Sequence, residues 1–149
     1  MTKIQSLLRH IQLVRDLGII VGERYIELGD ESFGRHLIQN VLIHDNSKFE
    51  GIEWEAFFNG KKDLIPAAIE HHNHTNKHHP QYWHNGIFGM PKLYIAEMSL
   101  DWIARSQDNF KDPTEWIEKE AMSRFGFSVQ DQVYADIMMF IEMAKKDIN

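Results

Sequence analysis

Apolar residues recur at helical spacing along most of the chain. Ile4, Leu7, Leu8, Ile11 and Val14 mark one face of residues 3–17, and Thr2 followed three residues later by Gln5 has the form of a capping box. A helix is expected to start there. Gly18 is expected to interrupt it, with a second helix over residues 19–28 that Gly29 stops. Phe33, Leu37, Val41 and then His44 share a stripe widened by Ile38 and Leu42, which predicts a largely buried helix from Phe33 to Lys48.

A short helical piece is predicted around Glu53 to Phe58, ended by Asn59 and Gly60. Asp63 is expected to cap a helix through Ala67, Ala68, Ile69 and His72, with Pro66 tolerated in its first turn. From Asn73 to Met90 the Asn, His, Gly and Pro residues read as a functional loop. Pro91 suits a helix start. Leu93, Ala96, Met98, Leu100, Ile103 and Ala104 then make the next turns apolar around most of their circumference, which places that helix in the middle of the fold. Asp112, Pro113 and Glu115 announce a helix over Trp116 to Phe125, and Ser128 a last one reaching Lys146. No strand pattern competes, so the class is all-α: one domain over residues 1–149, a bundle of about six to eight helices.

Composition narrows the chemistry. The 149 residues are 43% hydrophobic, enough for one continuous core. The net charge of -6 offers no footprint for a duplex nucleic acid, though a nucleotide remains open. The absence of cysteine excludes disulfides, thiolate nucleophiles and Cys-rich zinc sites, so any metal must bind through nitrogen and oxygen. Charges break the apolar residues of MTKIQSLLRHIQLVRD too often for a signal peptide or a spanning helix, so no membrane partner and a cytoplasmic address are expected. No Gly-rich phosphate loop is present. Histidine is the outlier, with five of nine packed between His71 and His79.

His10 lies three residues after Leu7 and four before Val14, at the margin of an apolar face. His44 and Asp45 are adjacent near the expected end of their helix, and both can reach one point if that end faces a cleft. Asp101 sits inside the most apolar helix, where an unpaired carboxylate would be costly. The four can converge on a divalent ion such as Mn, Fe, Co, Ni or Zn, which would activate water near neutral pH.

This order, His, then His-Asp, then a distant Asp, resembles the HD-domain superfamily of metal-dependent phosphohydrolases over residues 10 to 101. The strings HDNSKF, HHNHTNKHHPQYW and EMSLDW are similar to an uncharacterised HD-like family found in phage and bacterial genomes. The resemblance implies a helical bundle with His10, His44, Asp45 and Asp101 as ligands of one ion, and it permits a second. Lys48 completes an HDxxK string. Enzymes of the HD-GYP type also carry lysine there, where the deoxynucleotidase branch has glutamate. A protonated lysine cannot orient water as that glutamate does, so contact with a phosphate oxygen is expected. The alternative for Lys48 is an ion pair with Asp45 one helical turn away.

Among the clustered histidines, His71, His72, His78 and His79 are candidates for the second ion. His72 and His79, with Lys48 and Glu97, are also candidates for proton transfer or charge neutralisation. Asn73, Asn76 and Lys48 could hold phosphate oxygens, and Tyr82 and Trp83 could stack on a base, although simple loop packing accounts for the aromatic pair as well. His74 and His84 are expected to be exposed. Glu97 shares the face of Asp101 and could orient a ligand histidine, act as a base or pair with Arg105. Trp116, Met138, Met139 and Met143 suit core or a homodimer contact. The expected function is hydrolysis of a phosphoester on a small substrate, a nucleotide above all. The alternatives are an HD-type di-iron oxygenase and a non-enzymatic, metal-stabilised nucleotide-binding module.

Overall fold

Thr2 and Gln5 close the expected capping box: Gln5 N–H donates to Thr2 Oγ1 at 3.1 Å, and Thr2 N–H donates to Gln5 Oε1 at 2.8 Å. The helix that starts there, α1 (Lys3–Glu27), is unbroken. Gly18 does not interrupt it because its bare Cα is a packing surface. A Cβ at Gly18 would sit 2.5 Å from Val41 Cγ1. The computed structural model describes residues 1–109 and 112–145. In it, Gly22 of α1 and Gly34 of α2 (Glu31–Leu42) extend the same close approach.

Asp30 caps α2, accepting from Phe33 N–H at 3.1 Å. The helix stops at Leu42, short of the expected Lys48, for two local reasons. Arg15 Nη2 takes up the Leu42 carbonyl at 2.7 Å, and Asp45 adopts a left-handed backbone at φ 58° that no helix continues through. A 3₁₀ turn (Asn46–Phe49) follows. His44 and Asp45 therefore sit in a turn just past the helix rather than on it.

Helices α3 (Gly51–Phe57) and α4 (Ile65–Thr75) pack against each other across a 3₁₀ turn (Lys62–Leu64) that contains Asp63, which caps nothing. Because α4 runs through Thr75, Asn73 and His74 are helical and the irregular segment is shorter than expected. It holds two 3₁₀ turns, Pro80–Tyr82 and Gly86–Gly89. α5 (Lys92–Asp108) is the central helix, with every residue from Ile95 to Ala104 buried. α6 (Pro113–Trp116), capped by Asp112, passes through a π turn (Ile117–Ala121) into α7 (Met122–Phe125) as one rod. α8 (Gln132–Lys145) begins after Ser128, which instead closes a turn by donating its N–H to Asp131 Oδ2 at 2.7 Å; the expected end at Lys146 lies outside the described residues.

α5 packs against α1, α2, α6 and α8 around one core that includes Val14, Val21, Leu37, Leu100, Ile137 and Phe140. Trp116, Met138, Met139 and Met143 pack against that core, which accounts for their helical spacing. The described residues are all-helical, without a strand, and none of their helices is long and apolar enough to cross a membrane. This packing fixes one end of α1, the turn after α2, α4 and the buried face of α5 around a common point.

Candidate metal centre

Eight buried side-chain nitrogen and oxygen atoms lack a hydrogen-bond partner among the described residues, and six of them meet at this point. They are Nε2 of His10, His44, His78 and His79, and one oxygen each of Asp45 and Asp101. An unsatisfied buried polar atom costs about 1–3 kcal/mol, so six at one place require a common partner. His10 Nε2 lies 2.8 Å from Asp101 Oδ1, yet the contact is misaligned and neither atom is hydrogen-bonded. Two atoms that approach closely without pointing at each other are aimed at a third position.

The spacings lie close to the edges of a coordination shell. His44 Nε2 is 3.6 Å from Asp101 Oδ1 and 3.6 Å from Asp45 Oδ2, while Asp45 Oδ1 is 3.2 Å from His72 Nε2 and 3.4 Å from His78 Nε2. Ligand atoms about 2.1 Å from one ion stand roughly 3.0–3.4 Å apart. Three groups have donor atoms close enough together to hold a metal ion: His10, His44 and Asp101; beside them Asp45, His72, His78 and His79; and, spanning these two, His44, His78 and Glu97.

Carboxylates behind four of the histidines set their tautomers. His44 Nδ1–H donates to Glu97 Oε2 at 2.9 Å and His78 Nδ1 lies 3.0 Å from the same oxygen, so one carboxylate backs a ligand in each group. His72 Nδ1–H donates to Glu53 Oε1 at 2.6 Å, and His10 Nδ1 faces Asp108 Oδ2 at 3.3 Å. In every case the carboxylate holds Nδ1 and leaves Nε2 for the centre, as metal-binding imidazoles require.

The charges are mutually sustaining. Burial pushes the Asp45 and Asp101 carboxyls up, but the surrounding imidazoles, with Lys48 beside Asp45, outweigh it and hold both well below the usual range. Burial pushes the His44 imidazole down, yet Asp45, Asp101 and Glu97 raise it well above the ordinary value. Burial and the charge of His44 likewise lower His78, but Asp45 and Glu97 prevail and raise it to about 9. Burial, aided by His78, lowers His79 to about 3, so it is neutral.

Metal-free protein near pH 7.5 therefore carries a proton on His44 and on His78, one in each group. Ligation needs the neutral form, so loading should release about one proton per ion, and affinity should fall as the pH falls. Calorimetric titration with divalent metal in buffers of different ionisation enthalpy counts those protons. Buffer-independent heats would contradict it.

The model of a family of unknown function, DUF5662, matches residues 1–146. The chain belongs to that family. No curated protein and no solved structure matches it.

In this DUF5662 chain the structure brings together His10, His44, Asp45, Asp101, His72, His78 and His79, with Glu97 behind them. Of the four principal candidates, His10, His44 and Asp101 fall in one group and Asp45 in its neighbour, with Asp45 Oδ2 3.6 Å from His44 Nε2. His71 does not join: its side chain is half exposed and its Nδ1–H donates to Glu53 Oε2 at 2.7 Å. Lys48 makes the ion pair with Asp45, at 3.1 Å. Glu97 pairs with two histidines rather than with Arg105. Asn76 spends its amide on the His72 carbonyl and Ser47 Oγ. Tyr82 is exposed, while Trp83 packs on Tyr94 and donates to the Lys77 carbonyl at 2.9 Å, the loop packing that was the alternative for this pair. His74 and His84 are exposed as expected.

Glu53 and Asp108 escaped the sequence reading, although both carried a signal. Glu53 lies one turn before Ala56 on the buried face of α3 and is itself fully buried, the same anomaly that singled out Asp101. Asp108 lies two turns beyond Asp101 on the same stripe of α5. A cleft of about 690 Å³ reaches the centre through His10 and Lys48, with Asp108 in its lining.

Proposed function

We propose that this chain is an HD-type phosphohydrolase that cleaves a nucleotide or related phosphoester with two divalent transition-metal ions. The observation that supports this reading is the meeting of two metal-competent groups with a cation-lined cleft at His10 and Lys48. His10, His44 and Asp101 would hold one ion, and His72, His78 and His79 the other. Asp45 would serve both through its two oxygens. Nitrogen and oxygen donors without sulfur suit Mn, Fe, Co, Ni or Zn.

Bound ions supply Lewis acidity toward a phosphoryl oxygen and lower the pKa of a water. Lys48, paired with Asp45 at 3.1 Å and lining the cleft, would offer its ammonium to a phosphate oxygen there. Glu97 commits one oxygen to two imidazoles, which makes it a holder of ligands rather than a base. His72 and His79 act as ligands in this reading, not as proton donors. Buried surroundings around these groups exclude bulk water and strengthen each charge interaction.

Metal analysis of purified protein should find two ions per chain. Metal-dependent phosphate release is expected from at least one of p-nitrophenyl phosphate, bis-p-nitrophenyl phosphate and mono-, tri- and cyclic nucleotides. Fully loaded protein that turns over none of them overturns the proposal.

A further inference from the structure

We propose that the cleft beside His10 takes a phosphate chain of at least two units joined to an apolar group, in preference to a lone phosphate monoester. The inference rests on the phosphohydrolase reading and narrows its substrate class. It starts from a local reversal of charge. The chain has a net charge of -6, yet Lys3, Arg9, Lys48, Lys62 and Arg105 all line this one cleft.

Among the described residues, Asp108 is the only carboxylate in that lining, and it is already engaged, by His10 Nδ1 at 3.3 Å and Arg9 Nε at 3.8 Å. Lys48 belongs to the metal-bearing wall through Asp45. Lys3, Lys62 and Arg105 have no ion pair among the described residues. They come from three separate parts of the fold: the start of α1, the turn before α4 and the last turn of α5. A reacting phosphate would be neutralised by the ions and Lys48, so these further cations are matched only by anionic groups beyond it.

The cleft also has an apolar side, made by Leu7, Phe57, Phe58 and Ile65, and its volume of about 690 Å³ lies in the range of organic ligand sites, roughly 300–1,000 Å³. A lining that combines cations with hydrocarbon suits an organic diphosphate or triphosphate. Nucleoside and prenyl polyphosphates share that chemistry.

Calorimetry on metal-loaded full-length protein should compare AMP, α,β-methylene-ADP and the methylene analogue of geranyl diphosphate. At least one of the two diphosphate analogues is expected to bind tenfold or more tightly than AMP, and the tighter of them identifies the organic group. A diphosphate also grips the ions better than a monophosphate, so a Lys62→Ala/Arg105→Ala double variant decides the matter. Both residues are exposed and outside the metal groups. Metal content should hold while the preference drops to twofold or less. Equal binding of all three ligands, or a double variant that keeps the tenfold preference, overturns the inference. If no substrate is hydrolysed but the preference appears and vanishes as described, the hydrolytic reading falls and the cleft assignment stands. Turnover of monoesters without any diphosphate preference does the reverse: hydrolysis stands and the cleft assignment falls.

Discussion

Asp45→Asn protein should purify with less than one divalent ion per chain and lose the proposed phosphohydrolase turnover by at least about a thousandfold, while melting within a few degrees of the wild type. Asparagine is the informative substitution because Asp45 has a left-handed backbone at φ 58°. Asn tolerates that conformation, whereas Ala would add a strain of about 1–2 kcal/mol and confuse a folding defect with a lost ligand. The change removes one negative charge at the position proposed to serve both ions. Oδ1 lies 3.2 Å and 3.4 Å from His72 and His78, and Oδ2 lies 3.6 Å from His44. An amide nitrogen cannot ligate, and a neutral oxygen ligates weakly. Retention of two ions and full turnover in the Asn variant would remove Asp45 from the centre.

Gly34→Ala is expected to lower the melting temperature by roughly 5–10 °C, although alanine is the better helix former by about 1 kcal/mol. The added methyl would lie 2.3 Å from the Gly22 carbonyl oxygen and 2.8 Å from Ile26 Cγ1. A backbone oxygen cannot rotate away as a side chain can, so α1 and α2 must move apart, at a cost of about 3 kcal/mol or more. The steric cost wins. Since α1 carries His10 and α2 leads directly into His44, the displacement should also weaken metal binding in the folded variant. Gly29→Ala is the control: nothing lies within 4 Å of its added Cβ, and only the strain of φ 98° opposes it. Thermal melts of the two variants side by side make the test, and equal stability would show that the glycine contact has no steric role.

Periodicity and capping were enough to read the all-helical class, the central place of α5 and the start of α1, because these depend on residues within a turn or two of one another. The same locality explains the errors. Gly18 looks like a helix breaker until Val41 is seen to need its space. The stripe ending in His44 looks helical until Arg15, from another helix, takes the last carbonyl and Asp45 turns left-handed.

The candidate ligands were legible for a different reason. A carboxylate or imidazole on an apolar face is a conflict within one helix, and Asp101 shows that conflict without any partner in view. What pairs with what was not legible. That Glu97 lies against one histidine in each group, that Glu53 holds His71 on one oxygen and His72 on the other, and that Asp45 lies within reach of both groups depend on where four separate elements cross. Local pattern carries the cost of burying each charge; the atoms that offset the cost lie tens of residues away, and only the packed helices bring them within 3 to 4 Å.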